Sequence, residues 1–158
     1  MTKSSERVVA DQEAVNSADV RLAAMNLLAR REHSFKELQR KLLRRFNDAD
    51  VVEVQVRRLA DENLQCDRRF AESFVRQGVF KGHGPVRVRQ DLRQRGIAET
   101  ECELAIAACE VDWINLAEEV FAKKFGAEVS ADLKEKARRA RFMQYRGFYQ
   151  DHYQHLLK

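Results

Sequence analysis

The sequence predicts an all-α protein of three tandem three-helix units, forming an elongated, curved, repeat-like chain. Three observations predict it. Six glycines and one proline among 158 residues are too few turn formers for the many short strands of a sandwich or barrel. Helix-favouring Ala, Leu, Arg, Glu and Gln are plentiful, while only two threonines occur. From Val20 onward, apolar residues recur at helical spacing in a pattern that repeats after about 50 residues.

Residues 1–17 mix charged and small polar side chains without periodicity and read as a mobile N-terminal arm. Val20, Ala24, Leu27 and Leu28 then share one helix face. Ser34 caps a second helix, with Glu37 placed to complete a capping box, and Phe35, Leu38, Leu42 and Phe46 form its stripe. Asn47 reads as a left-handed stop, and Asp48 or Asp50 starts a third helix carrying Val52, Val56 and Leu59. This first unit spans 18–64.

The second unit, 65–110, repeats the pattern. Phe70, Phe74 and Val75 line a helix broken by Gly82 to Gly84, and Gly84-Pro85 opens the next, with proline where its missing N–H is not needed. Val88 and Leu92 carry that helix to Gly96, and Cys102, Ile106 and Cys109 line another. A shift of 50 residues lays Ser34, Leu38, Leu42, Val52, Val56 and Leu59 on Gly84, Val88, Leu92, Cys102, Ile106 and Cys109; only Phe46 against Gly96 falls out of step. In the third unit, 111–158, Trp113, Leu116, Val120 and Phe121 lead to Gly126; Leu133, Ala137 and Ala140 lead to Gly147; and Tyr153, Leu156 and Leu157 close the chain. Gly78 stands inside a helix with no boundary role, where glycine weakens a helix by about 1 kcal/mol relative to alanine.

The net charge of +4 is laid out in blocks. Residues 65–98 and 120–158 each carry +5, and between them 99–119 carry −7 with no basic residue. That acidic stretch reads first as a solvated helix face and second as a limit on which side meets a polyanion. No apolar run approaches the ~18 residues of a membrane span, and the acid-bearing N-terminus lacks the apolar core of a secretory signal. Three cysteines without a framework spacing fit a reducing, cytoplasmic setting.

No catalytic constellation, cofactor motif or metal cluster emerges. Gly82-His83-Gly84-Pro85 lacks the Lys-Ser/Thr of a phosphate-binding loop and follows a helix rather than a strand. His152 and His155 have no further ligands nearby and read as a helix end. Cys102 and Cys109 fall on core positions, Cys66 is expected at an exposed loop, and Trp113 reads as core. A non-enzymatic binding protein, expected to be monomeric, is the reading.

Two basic constellations could serve it. On the helix after Pro85, Arg89 and Arg93 stack on one flank and Arg87 on the other. Like charges at i, i+4 cost a few tenths of a kcal/mol, which an anionic partner would remove; the alternative is a solvated arginine face offset by Asp91. The second is Arg138, Arg139, Arg141, Phe142, Tyr145, Arg146, Phe148 and Tyr149, in which basic residues alternate with aromatics. It reads first as packing of the third unit's core and second as a surface that tracks phosphates and stacks bases.

The segment CDRRFAESFVRQGVFKGHGPVRVRQDLRQRGI, residues 66–97, closely resembles the signature of the RecX family of bacterial recombinase regulators. The resemblance rests on Asp67, Arg69 and Phe70; on Arg76; on Lys81, Gly82, Gly84 and Pro85; and on Arg87, Val88, Asp91, Leu92, Arg95, Gly96 and Ile97. LLARREHSFKELQRKLLRRF at 27–46, the Trp113 helix, KKFG at 123–126 and RFMQYRGF at 141–148 extend it over 20–158. Family members usually carry further basic residues where this chain has Gly78 and Phe80, and a second Asp where it has Cys66.

The resemblance implies three tandem three-helix units. It also implies a protein that binds the RecA–single-stranded DNA filament and inhibits its ATPase, strand-exchange and coprotease activities. Arg76, Lys81, Arg87, Arg89, Arg93 and Arg95 lead the contact candidates, joined by Arg138, Arg141, Tyr145 and Arg146. Weak single- or double-stranded DNA binding is expected beside the filament contact, and the competing expectation is a direct DNA-binding protein using helical units as groove readers.

Overall fold

The computed structural model describes residues 14–158; the expected N-terminal arm lies for the most part outside the described residues. Among these residues there are nine α-helices, a closing 3₁₀ turn and no strand. Helices α1 (Ser17–Arg30), α2 (Phe35–Arg45) and α3 (Ala49–Asp61) make the first unit. The second comprises α4 (Asp67–Phe80), α5 (Pro85–Gln94) and α6 (Glu99–Ala108). The third holds α7 (Trp113–Phe125), α8 (Leu133–Tyr145) and the short α9 (Gln150–Tyr153), followed by the 3₁₀ turn Gln154–Leu157. No described helix is long and apolar enough to cross a membrane.

Each unit buries its own core. Val20, Ala24, Leu38, Leu42, Val52, Val56 and Leu59 are sealed in the first, and Phe70, Val75, Val88, Leu92 and Cys102 in the second. The third closes around Leu116, Phe121, Met143, Phe148 and Tyr153. Val79 and Val111 touch both the second and third cores. Among the described residues no side-chain hydrogen bond or ion pair joins the first unit to the third.

Local chemistry accounts for most helix ends. The side chains of Asn16, Ser34, Asp48, Asp112 and Asp132 each accept a backbone N–H from the first turn of the helix they precede. Only half the expected capping box forms at Ser34: its Oγ accepts the Glu37 N–H at 3.0 Å, while the Glu37 carboxylate turns away to the Arg31 guanidinium at 2.6 Å. The left-handed stop is not at Asn47. Helix α2 leaves through an extended Phe46, and the asparagine with positive φ is Asn63, after α3. The expected stripe of α8 is also displaced. Leu133 is 81% exposed and Ala137 is exposed, while the buried face carries Arg139 and Met143; the Arg139 guanidinium reaches the Glu128 carbonyl at 2.7 Å, so its stem packs while its head stays satisfied. Cys66 is half-buried at the start of α4 rather than exposed.

One junction is used twice. The N-terminus of a unit's second helix docks on the turn that ends the next unit's second helix. At the first junction Ser34 Oγ donates to the Arg95 carbonyl at 2.7 Å, beside Gly96, where an added Cβ would lie 2.6 Å from the Lys36 side chain. At the second, Gly84 N–H donates to the Arg146 carbonyl at 2.8 Å and Val86 N–H to the Gly147 carbonyl at 2.9 Å. Those carbonyls satisfy donors that a helix start leaves unpaired. The backbones meet so closely there that a Cβ on Gly84 would stand 2.4 Å from the Gly147 carbonyl. Gly96 and Gly147 both take positive φ and end their helices in the same manner. Among the described residues no helix start hydrogen-bonds to the end of α2, and there Phe46 stands where a glycine would fall.

Candidate binding surface

The signature residues divide between structure and surface. Asp67 accepts the Phe35 N–H at 2.8 Å and the buried Gln65 amide at 3.0 Å. Arg69 bonds Glu32 at 3.1 Å and the Asn63 carbonyl at 2.8 Å. Both therefore hold the first unit to the second. Gly82-His83-Gly84-Pro85 builds the second junction; burial, reinforced by the neighbouring Arg87 and Arg146 guanidinium groups, holds the His83 imidazole below its usual range.

Helix α5 points its arginine flank at α6. Arg89 pairs with Glu103 at 2.5 Å and donates to the Tyr149 hydroxyl at 2.8 Å; the Glu103 bond raises the guanidinium above its ordinary range. Arg93 pairs with Glu99 at 2.5 Å. The repulsion expected between Arg89 and Arg93 is thus relieved by the acidic block itself. Arg87 lies 4.0 Å from Asp91 and over the Tyr145 ring at 5.6 Å, while Arg95 covers Phe74 at 4.6 Å and donates to the Asp91 carbonyl at 3.0 Å. Arg138 is tied to Glu135 at 2.6 Å and lies over Phe125. Bonds from Arg138 and Arg139 pull the Glu135 carboxyl down to about 2.

Five candidates meet no carboxylate among the described residues: Arg76, Lys81, Arg95, Arg141 and Arg146. Arg76, Lys81 and Arg141 are exposed. Arg146 is half-buried, donating to the Lys81 carbonyl at 3.0 Å with its plane over Phe142 at 5.2 Å. Tyr145 is 76% exposed. The structure gathers Lys81, Arg87, Tyr145 and Arg146 around the second junction and turns Arg89 and Arg93 toward α6 instead. Sequence reasoning missed Lys123 and Lys124, which end α7 and share a cleft with Lys81 and Arg146; the KKFG run was the available signal.

Burial pushes the Cys102 and Cys109 thiols up, and no group of three or more metal-ligating side chains occurs among the described residues.

The chain matches the models of the first, second and third three-helix domains of RecX over residues 21–59, 67–106 and 110–157. It belongs to the RecX family. The Regulatory protein RecX of Halorhodospira halophila is 48% identical over 135 residues, which cover 85% of this chain and 84% of that protein. That of Pseudomonas fluorescens is 41% identical over 138 residues, 87% of this chain and 89% of its own. The fold is similar to the crystal structure of RecX from Lactobacillus salivarius, with a TM-score of 0.68 at 24% identity over 86% of this chain and 90% of that one. A second RecX crystal structure gives a TM-score of 0.73 at 22% identity, covering 87% and 71%. Each RecX domain match takes in most of one three-helix core.

Proposed function

We propose that this chain is a non-enzymatic, cytoplasmic, monomeric regulator that binds the RecA–single-stranded DNA filament and inhibits its ATPase, strand-exchange and coprotease activities. The observation that carries the reading is the match of all three units, in order, to the domains of a family whose members are named regulatory proteins. Three tandem helical units joined end to end in sequence suit a long, repetitive filament surface. The exposed candidates without carboxylate partners among the described residues, Lys81 and Arg141 with Arg76, offer contacts to acidic protein surface or phosphate.

The test is the RecA-catalysed, single-strand-dependent ATPase with this protein titrated in below stoichiometry. Inhibition is expected, and its absence at equimolar protein would overturn the assignment. A companion titration against naked DNA addresses the groove-reader alternative. Tight, steeply salt-dependent binding to DNA alone, equal to that for the filament, would replace the regulator reading with direct DNA binding.

A further inference from the structure

Beside the second junction, the end of α4 and one face of α7 enclose an open cleft of about 590 Å³. Its floor is aliphatic, formed by Val79, Leu116 and Val120, which also pack on the third core. Phe80, at the cleft, is 93% exposed, the most exposed large apolar side chain among the described residues. Lys81, Lys123, Lys124 and Arg146 rim the cleft against a single carboxylate, Glu119. None of the four cations has a carboxylate within ion-pair distance among the described residues.

We infer that this cleft binds an acidic peptide segment carrying one large apolar side chain. The apolar side chain covers the aliphatic floor and Phe80, while flanking carboxylates meet the lysines; both halves of the cleft are then matched. A nucleic-acid strand fits less well. Beyond Phe80 the floor offers no ring plane for a base, and Glu119 repels phosphate while accepting a peptide N–H. Arg146, the one guanidinium able to fork onto a phosphate, is already committed to the Lys81 carbonyl and the Phe142 ring. The inference stands apart from the filament reading, because any protein with such a segment satisfies it.

The full chain, isotope-labelled, is titrated with a short Asp/Glu peptide bearing one central Phe, with the same peptide bearing Ala in its place, and with an oligothymidylate of equal charge. The Phe peptide is expected to shift the amides of Phe80, Gly82 and Val120 and to bind about fivefold or more tighter than the Ala peptide. Lys123→Glu with Lys124→Glu, both on exposed positions, should weaken it about tenfold or more, and Phe80→Ala should remove most of the difference between the two peptides. Equal binding of the two peptides, shifts elsewhere, or tighter oligothymidylate binding at the same amides would each overturn the inference. So would a concentration-dependent dimer that protects these amides, since the occupant would then be a second copy. If the peptide binds but the charge-reversed variant still inhibits RecA fully, the cleft stands and the filament contact lies elsewhere.

Discussion

Replacing Gly84 by alanine is expected to part the second unit from the third. The φ of −78° and ψ of 172° at Gly84 are open to any residue, so the cost does not come from backbone conformation. It comes from contact: the added Cβ would sit 2.4 Å from both the carbon and the oxygen of the Gly147 carbonyl and 2.6 Å from the Phe148 nitrogen. These are backbone atoms that cannot rotate aside, so the two turns must separate by about 1 Å to restore ordinary contact. That displacement stretches the Gly84 and Val86 bonds, now 2.8 and 2.9 Å, beyond useful hydrogen-bond length. Two lost bonds at about 1 kcal/mol each, added to overpacking strain, put the destabilisation at about 2–4 kcal/mol. Urea unfolding gives the magnitude, and hydrogen exchange at the Gly84 and Val86 amides gives the location. Unchanged protection at both amides, with a midpoint like that of the parent, would refute the reasoning.

Arg93→Ala should change stability by less than about 0.5 kcal/mol because its pair with Glu99 is well exposed, whereas Arg89→Ala, which breaks two bonds at a mostly covered guanidinium, should cost about 1–2 kcal/mol; equal urea midpoints would contradict the difference. Glu135 has a folded-state pKa of about 2 against an ordinary 4.5, so its bonds to Arg138 and Arg139 stabilise the fold above pH 4.5 and lose that effect as pH falls toward 2. Glu135→Gln should therefore flatten the melting temperature over that acid window and leave its pH dependence near neutrality unaltered. Leu42→Ala, at a side chain 1% exposed in the first core, should cost about 2–5 kcal/mol there. Hydrogen exchange around Met143 and Phe148 should stay protected, since no apolar residue is shared between the first and third cores.

Helix order, the three cores and the twofold use of one helix pattern were legible because buried apolar positions repeat at helical spacing and survive a shift of 50 residues. The one mismatch in that shift, Phe46 against Gly96, proves informative: Gly96 stands where the start of α2 docks, and among the described residues no helix start bonds the end of α2. Gly78 reads in the sequence as a weakness in α4, yet a Cβ there would stand 2.8 Å from Val88, so its bareness lets α5 pack closely. Periodicity misplaced the α8 stripe because it took Leu133 and Ala137 for core and could not foresee an arginine stem serving instead. The candidate site was less legible. Basic residues are visible in sequence, but whether each already has a partner depends on which helices face one another, and that is a tertiary fact.

The acidic block shows why this matters. In sequence, 99–119 lies between two basic stretches and reads first as a solvated helix face. In the fold its first helix, α6, lies against α5, and Glu99 and Glu103 neutralise Arg93 and Arg89. The excess positive charge is thereby moved off α5 and onto the ends of α4, α7 and α8. Glu99→Gln with Glu103→Gln should therefore release two guanidinium groups to meet phosphate. Binding to single-stranded DNA should then tighten at low salt, and its logarithmic salt slope should steepen by about 1.4, two further phosphate contacts at about 0.7 each. Fluorescence anisotropy across a salt series reads both quantities. A double variant with the parent's slope would mean that Arg89 and Arg93 face away from any polyanion whether paired or not, and that flank of α5 would drop out of the contact surface.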